Sequence, residues 1–196
     1  MKRKIGRKSI FLIFLFLLFI YIFSNSGYSF TENTAIENSF PSQAGELVYE
    51  KEYDKNKTVI WRTVNNHYVK LLEKKWGILY HVTNVSELQP MSPLIGKEGD
   101  IKRTWSASLN SKEMYETIFA IESVNPEIIK VLISNDNIDN EISKEIDQIK
   151  QDSTVFIELT LEDGFAAAYK ELSIKDVGGF IFRGVNDKGE IIILGR

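Results

Sequence analysis

The run Thr154-Val155-Phe156-Ile157-Glu158-Leu159-Thr160-Leu161, followed by Glu162-Asp163-Gly164, carries the clearest pattern in the chain. Val155, Ile157, Leu159 and Leu161 fall on one side of an extended backbone, and Thr154, Glu158 and Thr160 on the other. Successive side chains of a strand project to opposite faces, so this alternation predicts a strand with one apolar face. Asp163-Gly164 suits the positive φ angles of a tight hairpin turn. Residues 165–172 then return as a strand, although the run Ala166-Ala167-Ala168 leaves a helix open.

Outward from this hairpin the pattern stays short and extended. Toward the C-terminus, Gly178-Gly179 precede a strand over 180–185, Asp187-Lys188-Gly189 turn the chain, and 190–194 form the closing strand. Upstream, Pro126 opens residues 127–134, where Ile129, Val131 and Ile133 alternate with Ile128, Lys130 and Leu132. Both faces are mainly apolar, which predicts a strand inside a sheet. Residues 135–140 read as a turn, and Ser143 as the cap of a short helix reaching 151, with Ile146 and Ile149 on one side.

The first half reads as a meander, with strands at 47–53, 58–63, 68–74 and 78–82, turns at 54–57 and 64–67, and a break at Trp76-Gly77. Residues 85–100 hold two prolines and two glycines and predict a long loop before strands at 101–109 and 115–122. The expected fold is α+β, predominantly antiparallel β in a meander or sandwich-like arrangement, with one or two short helices. One domain over 46–196 is large enough for its own core.

Ahead of it stands a different chemistry. Lys2, Arg3, Lys4, Arg7 and Lys8 precede an apolar run from Ile10 to Phe23. Those 14 residues cover about 21 Å as a helix, against a hydrocarbon core of about 30 Å. Two readings stay open: a single N-terminal transmembrane helix, with partner membrane engaged through residues 10–23, or a secretory signal removed by cleavage. Either puts the body outside the cytoplasm, since the cations stay inside. Residues 1–23 are the signal or anchor, and 24–45, polar and small with Pro41 and Gly45, read as a flexible linker.

The body is acidic. Residues 9–196 hold 19 basic and 27 acidic groups, a formal charge of −8. That opposes general nucleic-acid binding, which needs cations to replace phosphate counterions. The chain has no cysteine, which excludes disulfides, thiolate metal sites and Cys nucleophiles.

Four short patterns bear a resemblance: Lys-Lys-Trp-Gly at 74–77, Pro-Glu-Ile-x-x-Val at 126–131, Val-Phe-Ile at 155–157 and Asp-x-Gly-x-Ile at 187–191. In these the chain resembles small exported or membrane-anchored proteins of low-GC Gram-positive bacteria with no known activity. The resemblance implies an exported, β-rich protein and assigns no catalytic residue, ligand or cofactor.

Residues with chemistry are few. His67 and His81 show no metal-ligand spacing, and a surface or packing role is expected for both. Glu50 and Glu52, with Glu46, share a strand face at a spacing compatible with a glycosidase pair, although any solvated strand face gives it. Residues 135–141 are rich in oxygen ligands, but a calcium loop would need Gly at Asn140 and Glu at Ile146, so a polar turn is the better account. Trp76, Lys74, Lys75, Trp105 and Arg103 form a candidate binding patch for a wall polymer, set against a reading in which the tryptophans are core. No P-loop, Gly-x-Ser-x-Gly or dinucleotide motif occurs. The expected function is a non-catalytic envelope module binding a protein or wall component, with a carboxylate-based wall-glycan hydrolase as the alternative.

Overall fold

A computed structural model describes residues 11–15, 17, 18, 20, 21, 26–42, 44–136 and 145–196. In chain order the elements are α1 (Glu32–Asn38), β1 (Glu46–Tyr53), β2 (Asn56–Arg62), β3 (His67–Lys75), β4 (Leu79–Glu87), β5 (Gln89–Pro90), β6 (Pro93–Ile95), β7 (Ile101–Leu109) and β8 (Tyr115–Ser123). They continue with β9 (Lys130–Ser134), α2 (Ile146–Asp152), β10 (Phe156–Thr160), β11 (Phe165–Leu172), β12 (Ile181–Val185) and β13 (Ile191–Gly195).

These strands make three antiparallel sheets, β1-β2-β3-β4, β11-β8-β7-β5 and β10-β9-β12-β13-β6. The second lies between the other two, and its alternation shows why. In β8, Ile118 and Ala120 pack with Tyr49, Ile60, Val69 and Leu71 of the first sheet. Phe119 and Ile121, one residue out of phase, pack with Val131, Ile133, Ile157, Leu159 and Phe182 of the third. The pleat thus feeds two cores from one strand, and residues 117–122 are all buried. Beside β8, Ala167 faces the first sheet while Ala166 and Ala168 face the third. The alanine run is a strand because the middle layer needs small side chains on both faces, which overrides helix propensity.

The turn at Asp163 (φ 50°) and Gly164 (φ 82°) forms as its sequence predicts, closed by Glu162 and Phe165. The flanking strands do not continue as a hairpin. β10 pairs with β9 in the third sheet and β11 with β8 in the middle one, so the turn is a corner between layers. Residues 85–100, expected as a loop, extend β4 to Glu87 and supply β5 and β6, which edge two different sheets.

The expectation of a flexible linker at 24–45 is corrected over its described part. Ser29 pairs with Tyr80 of β4, α1 follows under its Thr31 cap, and Ala35 and Ile36 are buried against Val59, Trp61 and Leu72. Composition suggested a tether, but α1 docks, with two apolar side chains buried against the sheet. In the apolar run, residues 11–15, 17, 18, 20 and 21 are helical with exposed side chains. Among the described residues no helix is long and apolar enough to cross a membrane, so the expected transmembrane helix is not found in them.

Candidate functional site

The first sheet concentrates the chain's polar contacts, and three of its lysines bind the docked segment 26–42. Lys57 Nζ reaches Glu32 at 2.7 Å, Glu52 at 3.2 Å and Glu50 at 3.4 Å. Burial works against the charge on Lys57, but bonds to Glu32 and Glu52 and the charges of Glu32 and Glu50 outweigh it and raise its pKa above the ordinary lysine range. Lys70 is fully buried and donates to the Ile36 carbonyl at 2.7 Å and to Ser39 Oγ at 3.0 Å, with the Trp61 ring 5.5 Å away. Burial lowers its pKa to about 8. Lys75 donates to the Tyr28 hydroxyl at 2.7 Å, and Tyr28 in turn lies on His81, their rings 4.9 Å apart. A cleft of about 590 Å³ opens between this segment and β4, lined by Tyr28, Ser39, Phe40, His81 and Val85.

Glu50 and Glu52 therefore converge on one lysine rather than facing each other across a cleft.

The predicted patch is split between two places. Trp105 packs edge-on against Phe180, 5.1 Å between centroids, and Arg103 lies 5.3 Å over Phe182, so both face the third sheet. Trp76 is 85% exposed at the β3–β4 turn, beside exposed Lys74 and Ile78. Core packing accounts for Trp105 and also for Trp61, while Trp76 packs in no core. Of the polar turn at 135–141, Asn135 bonds Thr154 and Val155, and Asp136 is taken by Arg183. Residues 137–141 of that turn, and the expected cap Ser143, lie outside the described residues.

One cluster escaped the sequence reading. His67 Nε2 accepts from Arg62 Nε at 2.9 Å, which puts the ring proton on Nδ1. Nδ1 stands 2.8 Å from Glu122 Oε2, at too bent an angle for a hydrogen bond. Glu122 also takes Lys102 at 3.2 Å, and Phe165 meets the His67 ring edge-on. The cluster joins the start of β3 to the end of β8, tying the first sheet to the middle one. Its partners are 55 residues apart, so no local motif announces it.

No protein-family profile matches the chain, and no curated protein or solved structure is similar to it.

Proposed function

We propose that the chain is a single-pass, membrane-anchored module held outside the cytoplasm, where it binds a protein or wall component of the envelope without catalysing a reaction. The cationic leader and the apolar run over residues 10–23 support the anchor and its orientation. The observation that carries the non-catalytic half is the convergence of Glu32, Glu50 and Glu52 on Lys57. Lys57 is shared by all three, and its bond to Glu32 holds the docked segment to the sheet.

The test has two arms on the full chain. Protease added to intact cells is expected to degrade residues 46–196; survival in intact cells with loss after lysis overturns the location. Purified protein incubated with wall glycan is expected to release no reducing ends. Release that disappears in Glu50→Gln overturns the non-catalytic reading.

A further inference from the structure

The β3–β4 turn is built against local preference. In the three-residue loop Trp76-Gly77-Ile78 between the paired Lys75 and Leu79, Trp76 sits at φ 50° and Gly77 at φ 74°, and such a positive φ favours Asn, Asp or Gly. A bulky residue in the left-handed region is strained. Among the described residues no core takes the indole, which is 85% exposed. Backbone strain retained around an unburied aromatic points to a role outside the domain.

Its neighbours share that character. Ile78 is 62% exposed. Lys74, before the turn, is also exposed, its ammonium 5.5 Å from the Tyr80 ring centroid. Two apolar side chains with a lysine close by thus stand at one end of the first sheet. Tryptophan with apolar and lysine neighbours is the composition of a surface that sits at the level of lipid headgroups.

The chain itself places a bilayer close by. The apolar run ends at Phe23, and Tyr28 is already fixed to Lys75, the residue before Trp76. Those five intervening steps reach at most about 18 Å.

We infer that the turn carrying Trp76 and Ile78 is a second membrane contact that inserts into the headgroup region of the leaflet from which the anchor emerges. This rests on the proposed anchor. The contact sets the domain's orientation, with the turn at residues 63–66 pointing away from the bilayer. The nine residues of β3 separate the two turns by about 30 Å.

The absence of cysteine makes the test direct. Full-length Ile78→Cys and Val64→Cys, each carrying an environment-sensitive fluorophore, are reconstituted into vesicles of phosphatidylethanolamine and phosphatidylglycerol containing doxyl-labelled lipid. Val64 is 94% exposed in the distal turn. The label at 78 is expected to emit to the blue and be quenched several-fold more than the label at 64. Adding Trp76→Asn, which relieves the strained φ and keeps the fold, is expected to lose most of that quenching. A chain that floats with the vesicles while its label at 78 stays as water-exposed as that at 64 overturns the inference alone. That is the result if the turn serves a protein partner. A label unmoved by Trp76→Asn overturns the role of the indole, and a chain that does not float overturns both the inference and the anchor.

Discussion

The ammonium of Lys70, wholly buried under α1, donates to the backbone carbonyl of Ile36 at 2.7 Å with Ser39 Oγ as its second acceptor. A lysine in β3 thereby holds a helix that precedes it by more than thirty residues. Carbonyl and hydroxyl dipoles compensate its desolvation less than a carboxylate would.

That relationship predicts a pH dependence. Burial takes the Lys70 pKa down to about 8 from 10.5. Between those values the unfolded chain binds more protons than the folded one, so stability rises with pH across this window. The full difference is on the order of 3 kcal/mol. Denaturant titrations of wild type and Lys70→Met at pH 7 and 9.5 check it. Wild type is expected to gain on Lys70→Met over that interval, and parallel curves would refute the assignment.

The buried pair Arg183 and Asp136 gives a second prediction. Arg183 is fully buried and bonds Asp136 through both terminal nitrogens, at 3.0 and 2.7 Å, and Ser134 through one. Burial alone would raise the Asp136 pKa; its bonds to Arg183 and Ser134 outweigh that and lower it. The stability this contributes is present above the unfolded carboxyl's range and is lost as pH falls through the lower folded value. Asp136→Asn strands the guanidinium and is expected to cost about 3–5 kcal/mol in urea denaturation, whereas Asp136→Leu with Arg183→Met recovers most of it.

Segment 26–42 answers to Lys57. Lys57→Met leaves Glu32, Glu50 and Glu52 facing one another without their cation. Amide exchange in α1 is expected to accelerate several-fold, with β8 amides unchanged, because only the docked segment opens. Equal protection in both proteins would show that Lys70, Ala35 and Ile36 hold the helix without Lys57.

Packing around β12 is tested at Gly184. A Cβ there would stand 2.5 Å from Ile193 Cγ2 and 3.1 Å from Ile128 Cγ2. Gly184→Ala is expected to cost about 1–3 kcal/mol by overpacking. Gly189→Ala, with open space around its Cβ but φ +81°, is expected to cost about 1 kcal/mol from backbone strain alone. Thermal unfolding of the two variants separates packing from conformation.

Most strands were legible in the chain because each has a buried face and period two exposes it, as in 154–161. Stacking of the sheets was not. Val155 and Phe165 look like the two sides of one hairpin, and only long-range pairing to β9 and β8 sends them into different layers. The docked segment was missed because Ala35 and Ile36 are too few to show periodicity. Of the patch, Trp76 is at the surface while Trp105 and Arg103 are half-buried against the third sheet, because exposure of a lone aromatic depends on neighbours far along the chain. His67 and Glu122 meet through the same nonlocal packing.

The middle sheet has one more consequence. Its strands lend alternate side chains to the layers above and below, so neither half of the domain owns a complete apolar interior. Excising residues 46–87 or 124–196 would bare one side of β8 and leave a fragment prone to self-association. The body is expected to melt in a single transition seen alike by every spectroscopic probe, and to tolerate cuts only in its outermost turns.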